Sequence, residues 1–577
     1  MNKLYYNSLL IICLISFLGA IVYRLYQLNS WGIFLTLIFV IISFILLKKS
    51  KNSKSVDNIF LKINKKDLLL IIGYLALIAI NFFILFKSSV AESIISPWQV
   101  VPWYFFLTYT LATIILLITI LKTSLSKTTC YLLLATHYLL TSSVALLIYT
   151  IGFGYDPFIH EATEKLIAAQ GFVDPKPFYY LGQYSLITFI HKLTFIPISW
   201  LNAWLVPILA SIFLPPALWQ AIKSFGAQTK TALLTTLFIL ILPFTFFTLT
   251  TPQNLAYLFL VLLILLSLRG QSPWQSREKI IIALATMTVH PIAGIPAILF
   301  VAMLWGKKII QSKKLLTPAM KAGQAIYYSL LTVASATALP IAFYLNNKTS
   351  AIINSAISTE TQPLWQLPKF FFSGSENFLL NFVYLYGFNI SVITALFVLI
   401  GIVVYKKNLQ LRTYNLELYV LISFSLFISY FLTKSISFSY LIDYEQGNFT
   451  NRILLLATFF ALPFILLTLS NLITKILQQE RIVKYAILIF GSLLITSSLY
   501  FSYPRFDNYY NSRSHSTSAS DIAAAQWIND DAGEKNFIVL ANQQVSAAAL
   551  HEFGFKKYYT TTPSPYQGEG RPASPPL

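Results

Sequence analysis

Apolar runs separated by short polar stretches dominate the chain as far as about residue 501. A helix needs about 20 consecutive apolar residues to cross a bilayer. Runs that meet this requirement fall at 8–28, 30–47, 67–87, 100–121, 131–152, 198–221, 231–249 and 253–268. Further runs follow at 325–345, 386–405, 416–433, 453–470 and 485–501. The pattern predicts an all-α polytopic membrane protein of about 13 spans. One apolar stretch does not fit as a span. Residues 280–305 carry His290-Pro291 at their centre, with Gly294 and Pro296 close behind and basic residues on both flanks. Proline removes a backbone donor and disfavours helix at the residue before it. Two short helices, 280–289 and 292–305, are expected to enter and leave on one side as a re-entrant hairpin. One long kinked span is the alternative.

Charge sets the orientation. Lys48, Lys49, Lys51, Lys54, Lys62, Lys65 and Lys66 crowd the stretch after the second run, which places it and the N-terminus in the cytoplasm. Parity then puts 122–127 and 269–279 inside, and 153–197, 346–381, 434–452 and the C-terminal segment outside. Of the 577 residues, 56% are hydrophobic and 11% charged, too few charges for a soluble domain of this size. The net charge of +20 is therefore read as topology and not as a nucleic-acid surface. Two cysteines, Cys13 and Cys130, make neither a disulfide framework nor a metal site.

After Tyr503 the composition turns polar. A helix over 521–530 capped by Ser520, a buried strand over 536–541 and a helix over 545–553 ending at Gly554 make a small α/β segment. One strand cannot form a sheet alone, so this outer segment is expected to be incomplete or, equally, a small helical cap. Residues 561–577 read as disordered. The chain thus divides into N-terminal helices (1–130), a membrane core (131–501), the outer segment (502–560) and a tail.

Chemistry is expected where ionisable groups gather at the membrane boundary. Gly154-Tyr155-Asp156-Pro157-Phe158-Ile159-His160-Glu161 begins the first large outer stretch, and Glu164 and Lys165 follow. Asp156 reads as the N-cap of an amphipathic helix that ends at Gly171 and lies on the outer membrane surface. Capping alone would account for Asp156. A second acidic group, Asp443 and Glu445, precedes Arg452, which is read as opening the next helix. Two carboxylates suit a hard divalent cation, magnesium or manganese, and an arginine fork suits phosphate. Neutralisation of Arg452 by either carboxylate is the plainer reading. His290 at the hairpin tip is the third candidate, and His191, Lys192 and Lys176 read as ordinary surface charges.

The run Tyr155-Asp156-Pro157-Phe158-Ile159-His160, with the outer helix ending at Gln170-Gly171, resembles the C-type membrane glycosyltransferases. That superfamily includes oligosaccharyltransferase catalytic subunits, protein mannosyltransferases and lipid A aminoarabinose transferases. The resemblance covers 131–501. It implies transfer of a sugar from a polyprenyl-phosphate donor to a glycan, lipid or protein acceptor outside the cell membrane. It also implies a catalytic group of Asp156, His160 and Glu161, Arg452 and His290 at the donor phosphate, and Asp443 and Glu445 at the cation. Two departures stand out. The Asp156 stretch follows the fifth run instead of the first, and no Trp-Trp-Asp run is present, which argues against protein N-glycosylation. A lipid-linked glycan ligase or polymerase is the next reading, although external arginines are scarce. A transporter or flippase would show an internal repeat between halves, and a non-catalytic subunit would not need Asp156.

Overall fold

A computed structural model describes residues 3–48, 65–122, 125–268, 276–312, 318–346, 377–408, 416–436, 443–513, 515–533, 535 and 537–557. The first helices are α1 (Lys3–Leu25), α2 (Ser30–Lys48), α3 (Lys65–Lys87), α4 (Tyr104–Lys122), α5 (Lys127–Ser142) and α6 (Val144–Ile148). Then come α7 (Asp156–Gln170), α8 (Leu181–Thr194), α9 (Ile198–Ser224), α10 (Thr229–Phe238) and α11 (Pro252–Ser267). The second half holds α12 (Ser276–Val289), α13 (Pro291–Ser312), α14 (Pro318–Asn346), α15 (Phe378–Lys407) and α16 (Leu416–Ser435). It closes with α17 (Asp443–Leu477), α18 (Arg481–Phe501), α19 (Ala519–Ala532) and α20 (Gln543–Phe553). The protein is an all-α, multi-pass membrane protein.

Ten helices among the described residues are long and apolar enough to cross a membrane. The three remaining runs, at 131–152, 231–249 and 253–268, are broken or short, and the reasons are local. The first breaks at Ser143, where Thr141, Ser142 and Ser143 all return their hydroxyls to carbonyls of the preceding turn. Tyr503 repairs the gap: its hydroxyl accepts from the Val144 N–H at 3.2 Å and donates to the Thr141 carbonyl at 2.7 Å. The second ends as helix at Phe238 and continues in single turns. The third holds 16 residues, α11. Inside α9, Pro207 cannot donate to the Ala203 carbonyl, and Thr250 donates to it instead at 3.2 Å. The gap at Ser143 and the missing donor at Pro207 are each satisfied by a neighbour, as a water-poor interior requires.

The hairpin forms as its sequence predicts. Helices α12 and α13 meet at His290, and a Cβ on Gly294 would lie 2.2 Å from the Met287 Cα. That approach holds the two limbs side by side, which a single kinked span would not do. His290 fixes the second limb by accepting the Ile292 N–H on Nδ1 at 3.3 Å.

One end of the bundle is tied together by segments far apart in sequence. Val90 donates to the Ile148 carbonyl, Ser516 to Ile94 and Ala519 to Ala91, all at 2.8–2.9 Å. The Trp98 indole donates to the Tyr500 carbonyl at 3.1 Å. The turn between α1 and α2 joins the same end, because Leu28 donates to the Gly171 carbonyl at 2.7 Å. The described residues of 88–99, 148–153 and 500–519, which parity assigns to one compartment, therefore share one end of the molecule.

Three expectations need correction. No strand occurs over 537–541, where Leu540 is 98% exposed; an isolated apolar run has no partner edge to bond. Helix α19 starts earlier than expected because Ser518 and Asp521 close a capping box. Helix α17 starts at Asp443, so 434–452 is not one loop and Arg452 stands more than two turns inside the helix. The stretches 347–376 and 558–577, including most of the long outer connection and the tail, lie outside the described residues.

The shared end makes a labelling prediction. Single cysteines replacing Glu92 or Asp174 should react with an impermeant maleimide from one side of sealed vesicles. Replacing Lys230 or Arg481 should give labelling only from the other side, since Lys230 bonds the Leu121 carbonyl at the far end of α4. Native Cys13 and Cys130 are buried and give little background. Labelling of Glu92→Cys and Arg481→Cys from the same side would refute the arrangement.

Candidate active site

Helix α7 is the structural centre of the candidate site. Gly152 and Gly154 turn the chain into it with φ of 133° and 79°, values that suit glycine. Asp156 is the first helical residue and Tyr155 the cap, so Asp156 is not the N-cap the sequence implied. Its carboxylate is exposed and makes no hydrogen bond or ion pair with the described residues. The capping role that would explain Asp156 away is absent. Gly171 ends the helix in the left-handed conformation, as predicted.

The helix does not lie on the surface. Asn202 of α9 donates to the Pro157 carbonyl at 2.9 Å and so holds the first turn. Phe158 and Ala162 pack against Ala547 and Leu550 of α20. On another face, His160 and Glu164, one turn apart, press against α8. Both are buried, which corrects the expectation of an outward polar face. His160 Nδ1 lies 2.8 Å from the Tyr184 hydroxyl, and burial pushes the imidazole down to about 3. Glu164 Oε1 accepts from Gln183 at 3.0 Å, while Glu164 Oε2 and Gln183 Oε1 have no hydrogen-bond partner. Burial raises the Glu164 carboxyl well above its ordinary range; the Gln183 bond opposes this and Glu161 adds to it. Glu161 itself forms an ion pair along the helix with Lys165 at 2.7 Å.

Tyr180 joins the parts. It is the cap of α8 and, among the described residues, one of two non-glycine residues at positive φ, 69°. Such strain collects where a side chain must be held in one place. Its ring sits 5.3 Å from the His160 ring and 5.4 Å from the His290 ring, centre to centre. Burial raises the Tyr180 hydroxyl; the Arg452 charge opposes that rise, and Asp156 adds to it. Arg452, whose guanidinium lies 4.9 Å over the Phe449 ring, is also within electrostatic reach of His290 and Tyr257. Asp156, His160, His290 and Arg452, spread over almost 300 residues, therefore converge on Tyr180. Among the described residues Arg452 has no carboxylate partner.

Asp443 and Glu445 open the helix that carries Arg452, but their side chains lie outside the described residues. No group of three or more His, Cys, Asp or Glu among the described residues is placed to hold a metal ion. The chemistry available here is an open carboxylate at one edge, a guanidinium at another, and aromatic and imidazole rings between them.

The sequence pointed to Asp156, His160, His290 and Arg452 but passed over Tyr180, Gln183 and Tyr184. Their signal was present: Leu186, Phe189, Ile190 and Leu193 follow helical spacing inside a stretch read as loop. No protein family model, no curated protein and no solved structure matches the chain.

The buried carboxyl makes a pH prediction. Burial makes Glu164 hold its proton to higher pH in the folded protein than in the unfolded chain, where a glutamate ionises above about 4.3. Folding therefore binds the extra proton, and this group lowers stability as pH rises above that value. Glu164→Gln should melt about 2 °C higher than wild type at pH 8 and alike at pH 4.5, read by thermal unfolding in detergent. A gap that does not change with pH would show that Glu164 is ionised when folded.

Proposed function

We propose that this protein transfers a sugar from a polyprenyl-phosphate carrier to an acceptor on the extracytoplasmic face of the cell membrane, as a C-type glycosyltransferase. Its N-terminus would be cytoplasmic and its C-terminal segment external. One observation carries the reading: the Asp156 carboxylate is open and unengaged on a helix held on several faces, beside a tyrosine that also feels Arg452. A carboxylate fixed in place without an internal partner suits proton abstraction.

In this reading the acceptor nucleophile attacks the anomeric carbon of the donor. Asp156 takes the acceptor proton as the new bond forms. The bond from the anomeric carbon to the phosphate oxygen breaks, and the polyprenyl phosphate leaves with the electron pair. Arg452 faces the charge that grows on that phosphate, with the His290 imidazole next to it. His160 is buried beneath Tyr180 and Tyr184, so it positions rings and does not touch substrate. Glu161, paired with Lys165, serves the helix. Asp443 and Glu445 are the residues that would hold a magnesium or manganese ion. Bound there, the ion would supply charge neutralisation at the phosphate.

Membranes carrying wild type should transfer radiolabel from a polyprenyl-phosphate sugar. Asp156→Asn should lower transfer by about 100-fold or more at equal expression. Arg452→Gln should weaken donor use while leaving the protein folded. Full activity of Asp156→Asn would remove the proposed base. No transfer by wild type with a panel of donors would favour a transporter.

A further inference from the structure

A cavity of about 480 Å³ opens between α2 and the C-terminal end of α8, away from Asp156. Ile33, Phe34, Leu37, Leu193 and Phe195 form its apolar walls, and Ser30, His191 and Lys192 its polar mouth. The charges are one-sided. Lys192 has no partner among the described residues, His191 holds the Ile196 carbonyl through Nδ1 at 2.8 Å, and no carboxylate lines the space. Phe195 is the second non-glycine residue at positive φ, 59°, at a helix end where glycine is usual. Its ring is 84% exposed beside the opening.

The depth of the cavity identifies its surroundings. Trp31 neighbours Ser30 on α2, and Trp200 follows the α8–α9 turn; both are more than 60% exposed. Exposed tryptophans on spanning helices mark the level of lipid headgroups. Below the mouth, the apolar stripe of α2 continues through exposed Ile41 and Ile45. From Phe34 to Ile45 that stripe runs about 16 Å, enough for much of an acyl chain.

We infer that this cavity binds an anionic glycerophospholipid, with its phosphate against Lys192 and His191 and one acyl chain along the Phe34–Leu37–Ile41 stripe of α2. A cationic mouth over an apolar groove at headgroup depth complements that one class of molecule. A zwitterionic lipid would bring a second cation beside Lys192 with no carboxylate to receive it. The adjoining cavity, of about 380 Å³, shares His191 and reaches α7 only from Lys165 onward. Along α7 its nearest residue stands about 13 Å from Asp156, so the lipid and the reacting sugar occupy different places.

The test is native mass spectrometry of the full chain, released from detergent after titration with phosphatidylglycerol or phosphatidylcholine of matched chains. Wild type should retain phosphatidylglycerol about fivefold better. Lys192→Gln should bring the two lipids to parity, and Lys192→Arg should keep the preference. Leu37→Trp, which fills the groove and leaves the charges, should lower retention of phosphatidylglycerol. Equal retention by wild type, or an undiminished preference in Lys192→Gln, would overturn the site. Displacement of phosphatidylglycerol by an equimolar polyprenyl phosphate would overturn it too, by making an isoprenoid the occupant.

Discussion

The demand that every backbone polar group find a partner away from water shapes this molecule more than any single contact. A bundle of unbroken helices would meet it without effort, and would have no place for chemistry. This chain breaks its helices at Ser143 and His290 and loses a backbone donor at Pro207; distant residues serve the sites at Ser143 and Pro207, and the His290 ring serves its own break. Tyr503 serves the Thr141 carbonyl and the Val144 N–H. Thr250 serves the Ala203 carbonyl, and the His290 ring serves the helix that follows it. Irregular backbone at such depth persists only where protein surrounds it. The repairs therefore bind the irregular part of the structure into one body.

That body explains how α7 is held. Its first turn rests on Asn202 and its end on the α1–α2 turn, with α8 and α20 against its sides. Small residues permit the close approach beneath it. A Cβ on Gly182 would stand 2.7 Å from Val289 and 2.8 Å from Ser16, so side chains of the hairpin tip and of α1 lie directly against the α8 backbone. Tyr180, immediately before that contact, inherits its precision. The open carboxylate of Asp156 is thus mounted on rigid parts although it stands at the edge of a connecting stretch.

How much of this the sequence revealed follows from the range of each signal. Helix ends written by one residue were legible: Gly171, Gly533 and Gly554 stop their helices, and His290-Pro291 breaks the hairpin where expected. Polar residues with long-range partners were misjudged. Glu164 was placed on the polar side of a surface helix, because nothing near it in sequence announces Gln183. The apolar run 536–541 had the composition of a strand but no neighbour to pair with. Helix α8 was overlooked because its small and polar residues, Gly182, Gln183 and Ser185, lower its hydropathy while serving its packing. The start of α17 was placed too late for a similar reason, since the polar stretch 443–452 reads locally as a loop.

The seat of α7 on α20 has a consequence in time. Phe158 and Ala162 lie against Ala547 and Leu550, partners almost 400 positions later in the chain. At the usual pace of translation, about 5–20 residues per second, the ribosome needs roughly 20–80 s to reach the second pair after making the first. During that interval the membrane helices between them can insert, yet one flank of α7 stays uncovered. The helix that carries Asp156 acquires this support only after the whole membrane core has been made.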